Sequence, residues 1–477
     1  MHRITPTTNK KYIKKAVKDE HLKKVLLNAT LSTVSSRQAI IDLMPYWEQL
    51  RRKTHDIKRD VIEHLDKYLE QFEKNCIANG LMVHWAKDAK EANDIILKLA
   101  ADNDVRTVVK SKSLTTEEIG LNYTLAENDI RVFETDLGEF IVQLAGQIPS
   151  HLIIPALHLS REDIGKVFAE KLECEYTDDP VELLHIARAT LRRQFLTADM
   201  GISGANFAVA DTGCICIVEN EANAHLTTSL PRVHVAVVGI EKIIPSIKDL
   251  SYFLKLLPPN ATGQKISTYV NFIGATARRV TGEGPEQVHI ILLDNGRSEV
   301  LKDAELRQTL FCIRCGACLN VCPVYQHIGG HAYGWVYMGP IGINLIPQYL
   351  GLEVGKKSPY LCSLCRACEE VCSTKIDLPG HILHLRNSII RAGKGNFIER
   401  IGMKLWAFAA NHPRLYRFGS WFPAKLQRLL PGGMRFPAPG YFRERILPRF
   451  DYKGFRNKYK KYVRQSGNDA NKQRDNS

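Results

Sequence analysis

An α/β domain followed by an α-helical domain built on cysteine ligands is the architecture this sequence predicts. Two observations carry the prediction. Between residues 81 and 300, short β-type apolar runs alternate with amphipathic helical stretches, the pattern of a largely parallel, buried sheet. Beyond residue 301 one cysteine spacing occurs twice, in CIRCGACLNVCP (312–323) and in CSLCRACEEVCS (362–373). A third observation frames both. A chain of 477 residues, 44% apolar and 24% charged, is ordinary for a globular protein and long enough for two or three domains.

The elements follow in order. SRQAIIDLMPYWEQLRRKTHDIKRDVIEHLDKYLEQFEKNCIANG has apolar residues at helical spacing, with Pro45 as a kink or boundary and Gly80 as a C-terminal stop. The β-type runs are LMVHWA, TVVKSK, IRVFET, HLIIPAL, FAVAD, CICIVEN, HVAVVGI and VHIILLD. AKEANDIILKLAA and VELLHIARATLRRQFL read as helices between them. FAVAD and CICIVEN are joined through Asp211-Thr212-Gly213, a hairpin signal. The region after residue 391 is helical and aromatic, broken by LLPGGMRFPAPGYF. The polar tail QSGNDANKQRDNS is expected to be disordered.

Several classes are excluded by bulk properties. No run of about 18 apolar residues exists, so no membrane span is expected. The basic N-terminus lacks the apolar stretch of a secretory leader. A cytoplasmic chain with reduced thiols is the expectation. Of twelve cysteines, eight lie in the two runs, and Cys76, Cys174, Cys214 and Cys216 are scattered. Clustered cysteines in such a chain act as metal ligands more often than as disulfides. The formal charge of +14 is concentrated at one end, where residues 391–464 hold eighteen Lys and Arg against three acids.

A four-iron cluster needs four thiolates converging on the corners of a cube. In a C-x2-C-x2-C-x3-C run the fourth cysteine ligates the other cluster. On that rule one cluster takes Cys312, Cys315, Cys318 and Cys372, and a second takes Cys322, Cys362, Cys365 and Cys368. Structural zinc is the competing reading, but zinc ligands come as separated C-x2-C pairs. The 39 residues between Cys322 and Cys362 suit a helical dicluster domain rather than a small ferredoxin. The expected division is therefore 1–65, a helical segment; 66–300, the α/β domain; 301–390, a dicluster 4Fe–4S ferredoxin-type domain; 391–464, a basic helical domain; and 465–477, a disordered tail.

With these runs in hand, the chain resembles the lactate-utilization protein B family. The resemblance rests on VVKSKSLTTEEIGLN, GISGANFAVADTGCICIVENEANAHLTTSLPRVHVAVVGIEKIIPS, the two cysteine runs and IGMKLWAFAANHPRLYRFGSW. It implies an α/β domain of sugar-isomerase/CoA-transferase type, an α-helical dicluster ferredoxin domain and a short helical C-terminal domain. It implies electron transfer during oxidation of L-lactate to pyruvate. The implied partners are a second cysteine-rich iron–sulfur subunit and a second α/β lactate-utilization subunit. The family's second run often lacks the counterpart of Cys362. Here that cysteine is present, which completes a four-cysteine set.

Other residues have two readings each. Gly201, Gly204 and Gly213 are anion-binding backbone or tight turns. Lys110 and Lys112 are anion ligands or solvated lysines. Glu219, Asn220, Glu221 and Asn223 form a polar cluster that lines a cleft or supplies acid–base groups. Cys214 and Cys216 share a strand face and read as small buried hydrophobes. His327 and His331 lie near the first run, but eight cysteines leave no ligand position for them. No G-x-G-x-x-G opens a helix after a strand, so neither NAD nor flavin is expected on this chain. The basic C-terminal region caps the dicluster domain, or docks on an acidic partner or anionic lipid at the inner face of the membrane. No signature supports nucleic-acid binding. The alternative function is a self-sufficient α/β enzyme or ligand-binding regulator with the clusters as redox sensor.

Overall fold

The computed structural model describes residues 10–275, 284–395, 397–426, 455, 457–463 and 465. The expected break at LLPGGMRFPAPGYF and the tail from residue 466 lie outside them. The chain divides after Lys394 into two compact units.

The first unit opens with helices Lys10–Ala16, Glu20–Ile41, Trp47–Glu63 and Leu65–Ala78. Asp19 starts the second by accepting the Leu22 N–H at 2.9 Å. Pro45 falls in the gap between the second and third, where its missing N–H breaks no helical bond.

Among the described residues ten strands follow: β1 (Met82–Ala86), β2 (Thr107–Lys110), β3 (Arg131–Glu134), β4 (Met200–Ser203), β5 (Phe207–Val209), β6 (Cys214–Glu219), β7 (Val233–Gly239), β8 (Ile243–Ile244), β9 (Tyr269–Ile273) and β10 (Gln287–Leu293). Six form an all-parallel sheet in the order β1-β10-β7-β4-β2-β3. A four-stranded sheet, β8-β5-β6-β9, pairs β5 with β6 antiparallel across the Asp211–Gly213 turn. The alternation of strands and helices therefore meant what it suggested: an α/β fold with a parallel sheet. Val238 of β7, Ile290 of β10, Phe207 of β5 and Cys216 of β6 share one buried core.

HLIIPAL is not a strand. Residues 151–157 form turns, because side chains take the backbone groups that a ladder would use. His151 is fully buried, and its Nδ1 accepts the N–H groups of Ile153 and Ile154, both at 3.1 Å. Lys112 Nζ donates to the Ile153 carbonyl at 2.5 Å. The other imidazole nitrogen of His151 donates to Asn320 Oδ1 at 3.1 Å and so ties this loop to the first cysteine run. Burial lowers the His151 pKa to about 3, which keeps the ring neutral.

The cysteine runs lie on short helices and turns after residue 306, closed by helices Gly339–Tyr349 and Leu378–Arg391. Their core is continuous with the N-terminal helices: Leu26, Cys318, Cys322, Tyr333 and Ile382 belong to one buried cluster. The second unit contains helices Phe397–Asn411 and Pro413–Leu426. Trp406, Phe408, Phe418 and Phe422 on these helices are exposed.

Candidate iron–sulfur centres and adjoining chambers

Both cysteine runs adopt one backbone. A 3-10 turn leads in, Arg307–Phe311 before Cys312 and Ser358–Leu361 before Cys362. A four-residue helix follows, Ala317–Asn320 carrying Cys318 and Ala367–Glu370 carrying Cys368. Between turn and helix the chain twice enters the left-handed region, at Arg314 (φ 59°) and Gly316 (φ 76°), then at Leu364 (φ 58°) and Arg366 (φ 66°). A side chain in that region costs about 1–2 kcal/mol, yet three of the four residues carry one. The turn returns backbone N–H groups to sulfur. Arg314 N lies 3.4 Å from Cys312 Sγ and Leu364 N 3.2 Å from Cys362 Sγ.

The runs are interleaved. Cys312, Cys315, Cys318 and Cys372 line one cavity, walled by Leu152, Ile341 and Leu378. Cys322 is instead electrostatically coupled to Cys362 and Cys365, and Cys368 to Cys362, Cys322 and Cys365. Each run's fourth cysteine thus faces the first three of the other. Cys318 also senses Cys368, so the two quartets adjoin. Further donors reach the sulfurs of the first quartet: Ser373 Oγ lies 3.3 Å from Cys315 Sγ, and Ile376 N 3.3 Å from Cys372 Sγ.

The donor chemistry suits a sulfur-ligated cluster. Burial, then neighbouring thiols and thiolates, pushes Cys368 up to about 12, and burial also pushes Cys315 and Cys322 up to about 11. Bound metal favours the thiolate and displaces these protons. No group of three or more His, Cys, Asp or Glu among the described residues is arranged to hold a metal ion. A single zinc draws four sulfurs to within about 2.3 Å of one point. A four-iron cube anchors each sulfur at a different iron, and the first quartet lines a cavity of about 20 Å³.

A buried charge network fastens the first run to the α/β domain. Arg297, with 0% of its side chain exposed, meets Glu118 through Nη1 at 2.9 Å and Nη2 at 3.0 Å. Its Nε donates to Glu241. Arg314 reaches Glu241 at 3.5 Å and lies over the Tyr337 ring. Tyr337 donates to Glu118 at 2.6 Å. Despite burial, the surrounding cations, Arg297 foremost, hold the Glu241 carboxyl down at about 2. Burial lowers Lys58 to about 7 and Lys242 to about 8. Nothing in the sequence pattern announced this network, because its members are separated along the chain and lack a shared spacing. The second run is held differently. Arg51 donates to the carbonyls of Cys372 at 2.8 Å and Glu369 at 3.2 Å, and Arg386 to that of Cys362 at 2.7 Å.

A cleft of about 600 Å³ opens beside β6 and the helix starting at Leu137, lined in part by Lys112, Glu219, Asn220, Glu221 and Asn223. Its acids are occupied structurally. Glu219 accepts the N–H groups of Ala224 at 2.7 Å and His225 at 2.9 Å. Glu221 accepts that of Leu137 at 3.0 Å. Burial and then Asp136 raise the Glu221 carboxyl to about 7. Lys110 is elsewhere, 1% exposed between Glu117 and Glu134, so its cation is already matched and is neither solvated nor a free anion ligand. Gly201 and Gly213 are close-packing positions: an added Cβ would lie 1.9 Å from Thr227 O and 2.5 Å from Cys76 N, respectively. Cys216 is fully buried, and Cys214 is half-buried against Gly274. His327 and His331 face the carbonyls of Pro323 and Ile148, each at 2.7 Å.

Three family models match the chain in order: LUD domain over residues 69–293, 4Fe-4S dicluster domain over 308–376, and Lactate utilisation protein B, C-terminal over 387–461. An α/β domain joined to a 4Fe–4S dicluster domain defines the class, an iron–sulfur protein. Lactate utilization protein B of Geobacillus thermodenitrificans is 44% identical over 80% of this chain and 81% of its own length. The same-named protein of Bacillus velezensis is 38% identical over 96% and 98%. A protein of Escherichia coli named uncharacterized electron transport protein YkgF is 39% identical over 96% and 98%. The chain belongs to the lactate utilization protein B family. A crystal structure of a DUF162 family protein from Deinococcus radiodurans matches at 14% identity and a TM-score of 0.27 over 48% of this chain and 98% of that one, a likeness that carries no argument.

Proposed function

We propose that the chain is the electron-transfer subunit of a multi-component system that oxidises L-lactate to pyruvate, holding two 4Fe–4S clusters. Cys312, Cys315, Cys318 and Cys372 hold one, and Cys322, Cys362, Cys365 and Cys368 the other. The observation that carries the reading is the exchange of fourth cysteines between the runs. Quartets that adjoin in this way support relay over a short distance. The names borne by the relatives, lactate utilization and electron transport, supply the pathway.

When bound, the clusters supply one-electron transfer. The protein's part is positional. Eight thiolates fix the clusters. N–H groups of Arg314, Leu364 and Ile376 and the Ser373 hydroxyl place hydrogen-bonding dipoles at the ligating sulfurs, a recognised control of cluster potential. Leu152, Ile341 and Leu378 shield the first quartet from water.

A relay needs a donor and an acceptor. The partners in this reading are a second cysteine-rich iron–sulfur subunit and a second α/β lactate-utilization subunit. The basic C-terminal region, with its exposed aromatic residues, docks on an acidic partner or on anionic lipid. The α/β domain is of sugar-isomerase/CoA-transferase type in this account. Anaerobically purified chain should contain about eight iron and eight sulfide ions and be reduced by L-lactate only when the partner subunits are added. Stoichiometric zinc, or full lactate dehydrogenase activity from this chain alone, contradicts the proposal.

A further inference from the structure

A smaller chamber of about 90 Å³ lies between the large cleft and the first cysteine run. It shares Lys112 and Asn206 with the cleft, and Arg314 with the cavity of the first quartet. Its charge differs from that of the cleft. The cleft wall contains Asp136, Glu219 and Glu221 against Lys112. The chamber wall contains Lys112, Lys242 and Arg314 and no acid.

Two of these cations are incompletely matched. Lys112 pairs with Asp136 at 3.2 Å. Arg314 shares Glu241 with Arg297, and its Nε is buried with no hydrogen-bond partner. Lys242 is 9% exposed and makes no hydrogen bond or ion pair among the described residues; the opposite charges that act on it without touching it are Glu241 and the Cys312 thiolate. A buried cation whose counter-charges make no contact with it is costly to keep, and a charged donor without an acceptor forfeits the strongest class of hydrogen bond. An anion in the chamber meets both needs.

The chamber also limits what that anion can be. Its volume admits several water-sized groups and is far below the roughly 300 Å³ at which nucleotide-sized and other drug-sized ligands begin. Neutral donors flank the cations. The Ser113 hydroxyl is left with a proton to give, since its oxygen accepts the Thr116 N–H at 3.2 Å. Asn206 lines the same chamber, and with its Oδ1 accepting the Val218 N–H at 2.8 Å its amide NH₂ is the group left to donate. Gly204 keeps the Ser113 side open, because a Cβ there would fall 2.5 Å from Ser113 Oγ.

We propose that this chain binds a small monocarboxylate of the 2-hydroxy or 2-oxo acid class in this chamber, its carboxylate on Lys242 and Arg314 and its second oxygen function at Ser113 and Asn206. The presence of an anion site rests on the geometry alone. The choice of acid rests on the lactate-oxidation reading above. The relay subunit then holds substrate or product beside its own first quartet and does not merely conduct electrons past it.

Calorimetric titration of the anaerobic full-length chain tests this without any turnover. L-Lactate and pyruvate are expected to bind at one site per chain, and lactamide, of similar shape but uncharged, is not. Lys242→Met should weaken lactate binding at least about tenfold, the range of one charge-assisted hydrogen bond. Gly204→Ala should weaken it by narrowing the chamber. Lys242→Met removes a buried, unpaired charge, so its unfolding midpoint should equal or exceed that of the parent, and a lost isotherm is then not lost folding. Absence of binding at millimolar acid, equal binding of lactamide, or an unchanged isotherm for a folded Lys242→Met variant overturns the site. Failure of the relay reading shows separately, in the metal content and in reduction with the partner subunits present.

Discussion

Cys315 sits in a walled cavity, while its counterpart Cys365 is exposed. Around them the first run buries Ile313, Arg314, Ala317 and Leu319, where the second presents Ser363, Arg366 and Glu370 to solvent. The two backbones nonetheless take the same turns at the same offsets from their first cysteines. Cysteine spacing therefore sets local conformation, and the surrounding elements set access. The first quartet faces inward, towards the α/β domain and its chambers. The other reaches solvent through the exposed Cys365, while its Cys322 and Cys368 are buried.

The largest expected effect breaks the inward anchor. Glu241→Gln leaves Arg297 and Arg314 buried with too little counter-charge and should destabilise the first unit by about 3–5 kcal/mol. The outward counterpart, Asp377→Asn, removes a half-exposed 3.3 Å pair with Arg366 and should cost at most about 1 kcal/mol. Urea unfolding of both variants checks the contrast, and equal losses would dissolve it.

The same carboxylate gives the comparison a pH signature. Glu241 is held at about 2, below the ordinary 4.5. A depressed carboxyl contributes stability that is fully present above its unfolded value and is lost as pH falls through the folded one. The gap between parent and Glu241→Gln should therefore be constant above about pH 5 and narrow as pH falls towards 2. Urea midpoints across that range measure it. A gap that widens on acidification would assign the network's stability to other groups.

A smaller effect comes from one backbone position in each run. Gly316 and Arg366 share the left-handed conformation, but a Cβ at Gly316 would lie 3.0 Å from the Ile153 side chain. Gly316→Ala should cost about 1–2 kcal/mol from conformation alone, more if Ile153 cannot yield. Arg366→Gly relieves strain at the price of half-exposed ion pairs, and should change stability by no more than about 1 kcal/mol. Thermal or urea denaturation of this pair would show whether tight packing is confined to the first run.

Much of this contrast lies beyond what a sequence can express. The cysteine spacing and the Asp211–Gly213 hairpin were legible because both are local rules. The strand β4 has no such local signal: Met200–Ser203 is short and contains a glycine, and only its place between β2 and β7 makes it a central strand. HLIIPAL had the right residues for a strand, but His151 and Lys112 captured its backbone. Among the candidate site residues, Lys112 and the polar cluster after β6 do meet at one cleft, whereas Lys110 is absorbed by two carboxylates that are distant in pattern if not in space. The chamber beside Lys242 had no signal at all, since it exists only where seven separate stretches of the chain converge.

The crossing of the two runs is the centre of the account, and paramagnetic resonance on cysteine variants tests it most directly. Serine is a poorer, harder ligand for iron than a thiolate, so each substitution should convert or empty the cluster it serves. With Cys315→Ser and Cys365→Ser as references for the inward and outward centres, Cys322→Ser is expected to reproduce the Cys365→Ser spectrum and Cys372→Ser that of Cys315→Ser. If Cys322→Ser instead matches Cys315→Ser, each run serves its own cluster and the crossed arrangement is wrong.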